Sequence, residues 1–140
     1  MSLVKGLTNN RAETDPRATD RRLRGRTYAI PFDRVWREAV ALAQGGLPRW
    51  SLVSADDLTG VIRARALTRL FKKVDEVRVR VSLDENGQTR VDLVSTSLQR
   101  KRDLGSNARH IGRFLDELDA RLRAAPGQIL DATRQPQFTA

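Results

Sequence analysis

The residues best suited to chemistry lie in two short stretches. In the first, Thr68-Arg69-Leu70-Phe71-Lys72-Lys73-Val74-Asp75-Glu76-Val77, Asp75 has the same strand parity as Val77 and Val79. The spacing predicts that Asp75 points to the core side. A carboxylate there needs a partner, because an unpaired buried charge is costly. Arg69 across the turn and Arg109 further along the chain are the candidate partners. Phe71 stands in a connection where a polar turn is expected; it can close the end of the core, line a pocket mouth or touch a membrane. In the second stretch, Ser95-Thr96-Ser97-Leu98-Gln99-Arg100-Lys101-Arg102-Asp103-Leu104-Gly105-Ser106-Asn107, the inward positions change from Val91 and Leu93 to Ser95 and Ser97. Gly105 permits a tight turn into a helix, and a helix amino end attracts anions. Arg100, Lys101 and Arg102 just before it are candidate anion-binding residues. Arg69, Phe71, Asp75, Ser95, Ser97, Asp103 and Asn107 together form a candidate ligand site or polar network.

Other chemistries are excluded or weak. The 140 residues contain no cysteine and one histidine, His110. Disulfides, thiolate catalysis, iron–sulfur clusters and cysteine-based zinc sites are therefore out, and no cofactor or metal is expected. His110 is offset from the apolar stripe of its helix and reads as a rim residue. Asp56-Asp57 reads as turn chemistry. Asp116, Glu117 and Asp119 read as a solvated helix face balancing Arg113, Arg121 and Arg123. No nucleophile–base pair or glycine-rich phosphate loop follows from spacing, so the expectation is a protein that is not an enzyme.

The net charge is +9, and of 26 basic residues four are lysine, leaving 22 arginines. Arginine forks suit phosphate and carboxylate, although GC-rich codon usage also yields such an excess. No apolar run approaches the about 20 residues that span a bilayer. The chain as given is expected to be soluble, in the cytoplasm, or exported or membrane-associated where a leader or anchor has been removed from its N-terminus.

The elements that must position these residues are readable from periodicity. Residues 1–26 are polar and basic and read as an arm; residues 27–125 read as one domain and 126–140 as a tail whose Ile129, Leu130 and Phe138 can fold back. Thr27 to Ile30 reads as a strand. Phe32, Val35, Trp36, Ala39, Val40 and Ala43 form a helical stripe, with Trp36 expected in the core. Strands follow at Trp50–Ala55, Val61–Thr68, Val74–Leu83 and Thr89–Ser97, with Asp84-Glu85-Asn86-Gly87 as a hairpin turn. A final helix carries Ala108, Ile111, Phe114, Leu115, Leu118 and Leu122, with Asp103 or Ser106 as its cap. The order β-α-β-β-β-β-α predicts an α+β fold: a two-layer antiparallel sheet with two helices on one face. It is similar to TATA-binding-protein-like and reduced START-like architectures.

The motifs Thr68-Arg69-Leu70-Phe71 with Val74-Asp75-Glu76-Val77, and Ser95-Thr96-Ser97 with Asp103-Leu104-Gly105-Ser106-Asn107, resemble those of the domain of unknown function 1499 family, a group of small bacterial proteins. The resemblance extends over residues 27–123. Two positions depart from it: Leu98 stands where the family often has arginine, and Lys73 where it often has an aromatic or apolar residue. The resemblance implies membrane association or export and names no reaction. The functional expectation is a non-enzymatic binding or structural domain that holds a small or lipid-like ligand between the sheet and the last helix. The alternative is a binder of nucleic acid or anionic surfaces through Arg63, Arg65, Arg78, Arg80 and Arg90, disfavoured because Glu76 and Asp92 share that face and no aromatic is available for base stacking.

Overall fold

The computed structural model of the protein describes residues 10–68, 73–98 and 105–133. In chain order its elements are β1 (Arg11–Glu13), β2 (Arg26–Tyr28), α1 (Phe32–Ala41), β3 (Trp50–Asp56), β4 (Val61–Leu67), β5 (Val74–Leu83), β6 (Thr89–Ser97), α2 (Ser106–Leu122) and β7 (Ile129–Leu130). The fold is α+β with an antiparallel sheet and two helices, as the periodicity predicts, and the sheet has seven strands rather than the five expected, β1 and β7 being the additions. The sheet runs β3-β4-β5-β6-β2-β7, and β1 also pairs with β6. One edge of β6 carries β5. The other is shared by two short strands: β1 opposite Val94–Thr96 and β2 opposite Thr89–Val91.

Alternation along β5 and β6 builds the inner face of the sheet. Val77, Val79 and Val81 are buried on β5, and Val91 and Leu93 on β6. The register places Val79 opposite Leu93 and Val81 opposite Val91, so apolar residues meet across the ladder. Leu83, which shares their parity, is 60% exposed because the strand has run past the core at that point. The predicted stripe of α2 is its buried face, including Ala108, Ile111, Phe114, Leu115, Leu118 and Leu122. On α1, Val35 and Ala39 are buried, and Ala43 follows just beyond the helix. Trp36 is only half-buried and stacks on Phe32 with ring centroids 6.0 Å apart; it packs against the core rather than within it.

The stretch expected to be an arm is packed into the domain. Arg11–Glu13 pair with β6, Ala12 is fully buried, and Leu23 is 3% exposed. Thr14 donates its hydroxyl to the Asp92 carboxylate at 2.8 Å. The polar composition of this stretch concealed two buried apolar side chains. At the other end, Ile129 and Leu130 pair with β2, whereas Phe138 lies outside the described residues.

Helix α2 is tied at both ends. Its N-cap is Gly105 in the left-handed conformation, with no side-chain cap. This corrects the expectation for Ser106, whose hydroxyl is engaged elsewhere; Asp103 lies outside the described residues. Near the other end, Tyr28 donates to the Asp119 carboxylate, and Arg34 donates to the Leu122 carbonyl, a favourable place for a cation. Burial and the neighbouring Asp119 carboxylate raise the Tyr28 hydroxyl well above its ordinary value.

The β3–β4 turn follows turn chemistry: the Asp56 carboxylate accepts from the Leu58 amide at 3.0 Å. Gly60 closes it at φ +73°, and a Cβ there would meet the Val81 carbonyl oxygen at 2.1 Å. Gly87 has nearly the same φ, +75°, but open space around it. Gly87→Ala should therefore show only the left-handed penalty of about 1–2 kcal/mol. Gly60→Ala must also push β5 aside, and its loss should exceed that of Gly87→Ala by about 1 kcal/mol or more. Urea unfolding of the two variants measures the difference; equal losses would mean that the contact with β5 relaxes freely.

Candidate functional site

The end of the sheet where β4 runs toward β5 and β6 toward α2 gathers the polar residues. The register sets Asp75 directly opposite Ser97, and Val77 opposite Ser95. Helix α2 then lays its first turns over this end. Asn107 joins two of these groups: the Ser95 hydroxyl donates to its Oδ1 at 2.6 Å, and its Nδ2 donates to Ser97 Oγ at 3.2 Å. Ser106 donates to Asp75 Oδ2 at 2.8 Å. One turn further on, His110 Nε2 lies 2.9 Å from the same oxygen. Its N–H is off the axis that a hydrogen bond requires, so the contact is one of charge when the imidazole is protonated. Asp75, Ser95, Ser97, Ser106 and Asn107 are all buried, with Asp75 at 0% exposure. The His110 side chain keeps 15% exposure and meets the edge of Trp50 at 6.0 Å.

The approach to this end is also braced. Thr68 and Lys73 bond to each other: the Thr68 amide donates to the Lys73 carbonyl at 2.7 Å, and the Lys73 amide donates to Thr68 Oγ1 at 2.9 Å. The two strands leave the sheet side by side, with the Leu98 amide donating to the Val74 carbonyl at 3.0 Å.

The candidate residues thus separate into two sets. Asp75, Ser95, Ser97 and Asn107 are brought together, with Asp75 on the inward side that its parity required. Arg69, Phe71, Arg100, Lys101, Arg102 and Asp103 lie outside the described residues. Of the partners expected for Asp75, Arg109 is exposed; the places beside the carboxylate are held by Ser106 and His110. Ser106 was misread as a cap; His110 is at the rim as expected, but its contact with Asp75 was missed. The signal that could have found them is their spacing: four residues apart on a helix, they share one face and flank Asn107.

Burial pushes the Asp75 carboxyl up. The contact with His110, the Ser106 hydroxyl and the nearby Ser97 outweigh burial and hold it below the ordinary value of 3.8. One oxygen, Oδ2, carries the contacts with Ser106 and His110, and Oδ1 has no hydrogen-bond partner among the described residues. The order of the groups also decides their chemistry. In a Ser-His-Asp triad the imidazole stands between hydroxyl and carboxylate and takes the hydroxyl proton. Here the carboxylate stands between Ser106 and His110, so the imidazole is not placed to take the Ser106 proton as it would be in such a triad.

The space between α2 and the sheet is filled. Ile111, Phe114, Leu115 and Leu118 show no exposure, and Phe114 stacks on Trp50 at 5.5 Å. Clefts lined by described residues open elsewhere: beside β2 and β7, along α1 at Trp36 and Val40, and near Pro31 and Leu83. Among the described residues, no group of three or more metal-ligating side chains comes together, and no helix is long and apolar enough to cross a membrane.

Because the folded-state value of Asp75 is depressed, its contribution to stability is in place above the unfolded value near 3.8 and is lost as pH falls through the lower folded value. Asp75→Ala should lower unfolding free energy by about 1.5–3 kcal/mol at neutral pH, the range for a hydrogen bond to a charged group. The deficit should shrink in acid, as the wild-type carboxylate is protonated. Urea titrations at a series of pH values test this; a deficit that does not change with pH would mean that the carboxylate charge does not hold the network.

Comparison with known proteins agrees with the motifs that converge here. No curated protein matches the chain. Residues 7–118 match the DUF1499 family, described as a protein of unknown function. The match covers most of the 140 residues, including β1 and every member of the polar cluster, and the chain belongs to the DUF1499 family.

Proposed function

We propose that this domain is a non-enzymatic binding module that takes its ligand at the polar end of the sheet, where Asp75 and His110 meet it. The observation that carries this reading is Asp75 Oδ1, an acceptor with no hydrogen-bond partner among the described residues, on a carboxylate with no exposed surface. Buried polar atoms are nearly always satisfied. A small or lipid-like ligand bearing a hydroxyl, amide or ammonium group would supply the missing donor. His110, partly exposed, connects the buried carboxylate to the surface. Ser95, Ser97 and Asn107 then act as positioning residues that hold the first turn of α2 against the sheet. The filled core moves the expected ligand from the interior of the helix–sheet layer to its end. The non-enzymatic part rests on the order Ser106–Asp75–His110, in which the imidazole does not stand between hydroxyl and carboxylate.

Binding of nucleic acid or an anionic surface through the outer sheet face is the weaker reading. Arg63 is paired with Glu76 at 3.4 Å, and Arg90 is bonded to Asp92 and Thr27, so the exposed cations there reduce to Arg65, Arg78 and Arg80.

Native mass spectrometry of the gently purified protein tests the proposal. The expected result is a co-purifying small molecule on the wild type, with occupancy reduced about tenfold or more in Asp75→Asn, the loss expected when a charge-assisted hydrogen bond of about 1.5–3 kcal/mol is removed. Circular dichroism checks that the variant is folded. A bare wild-type protein, or equal occupancy in both, would reduce the cluster to a structural knot.

A further inference from the structure

A second, separate place in the molecule has the make-up of a ligand site. We propose that the cleft between residues 16–24, β2 and β7 binds a small organic phosphate. Five arginines line it: Arg17, Arg21, Arg24, Arg26 and Arg90. Its volume is about 640 Å³, within the range of about 300–1,000 Å³ typical of small-molecule sites.

Two of these arginines form a fixed floor. The Arg26 side chain is 18% exposed and is held by Asp119 at 3.1 Å and Asp116 at 3.2 Å. The Arg90 side chain is 11% exposed and donates to Asp92 at 2.8 Å, to Thr27 Oγ1 at 3.2 Å and to the Arg24 carbonyl at 2.6 Å. The last of these bonds crosses the backbone at Gly25, which has φ +71°. A Cβ there would stand 2.4 Å from the Arg90 guanidinium and 2.7 Å from the Val91 carbonyl. The glycine therefore allows a cation to lie directly under the chain.

The rim is different. Arg17, Arg21 and Arg24 are exposed. Arg24 commits donors to the Ala18 and Thr19 carbonyls. The Arg17 and Arg21 guanidiniums make no hydrogen bond or ion pair among the described residues, and each fork offers five donors. Against five arginines the lining carries two carboxylates. Asp119 is engaged by Arg26 and Tyr28, and Asp131 accepts from Thr133. Several forks around one space suit a group whose oxygens point in different directions. A phosphate has that shape and a single carboxylate does not. Half-buried Ile129 and Leu130 supply an apolar wall for the organic part.

The test is calorimetric titration of the full chain with inorganic phosphate and with pyrophosphate, alongside flotation with phosphatidylcholine vesicles with and without phosphatidylglycerol. The expected result is saturable pyrophosphate binding that weakens with added salt, falls about tenfold or more in the Arg17→Ala/Arg21→Ala double variant, and is unchanged in Arg78→Ala/Arg80→Ala. Both substituted pairs are exposed, so both variants should fold. Binding without vesicle flotation identifies a soluble phosphate as the source. Flotation that requires the anionic lipid and is lost in the Arg17/Arg21 variant identifies a lipid headgroup. Absence of saturable binding to every probe, or equal loss in the two double variants, would overturn the proposal.

Discussion

A carboxylate with no exposed surface must be compensated by its neighbours, and in this fold the neighbours of Asp75 come from α2. The sheet supplies the acid and the helix supplies Ser106 and His110. That arrangement fixes more than one side chain. Ser106 is the first residue of α2, so its bond to Asp75 sets where the helix begins over the sheet. Asn107, one residue on, sets how the helix is rotated, because it must reach Ser95 and Ser97 on the neighbouring strand. The apolar stripe that follows can then fall over the valines of β5 and β6. Apolar contacts hold the two layers together, but they tolerate sliding; directional polar bonds at one end select a single placement.

Much of this was legible in residue spacing. The parity of Asp75 with Val77 and Val79 placed it on the inner face, and the change from Val91 and Leu93 to Ser95 and Ser97 marked where that face becomes polar. The stripe of α2 was readable residue by residue, because a long amphipathic helix repeats its signal over several turns. The partners of Asp75 were harder. Which helix residue reaches a given strand residue depends on the tilt and start of the helix, and these are tertiary quantities. A search for opposite charge favoured the arginines, whereas a hydroxyl and an imidazole do the work. Likewise, the stretch before Thr27 carries too few apolar residues to show a period. Only pairing with β6 for Ala12, and packing of residues 21–23 against α2 for Leu23, give these side chains a core to enter.

The same packing redistributes the positive charge. Arg26 and Arg90, which composition alone counts with the rest, are largely buried and tied to Asp116, Asp119 and Asp92. Across the ladder, Arg63 stands opposite Arg78, an unfavourable like-charge pair that Glu76 offsets through its contact with Arg63. Among the described residues, exposed cations remain on the outer face of the sheet, around the cleft beside β2 and on the outer sides of the helices.

The divided far edge of β6 has a consequence for how the protein behaves outside its folded state. A strand of nine residues with one open side is a template for another chain, and here two separate short strands cover it. β1 brings only three residues, Arg11–Glu13, to that task. Breathing of so small a patch would bare the backbone of Val94–Thr96 while the rest of the sheet stayed intact. The segment that would come loose is then also the one that keeps copies of the molecule from joining edge to edge, so a strand of three residues guards the domain against self-association.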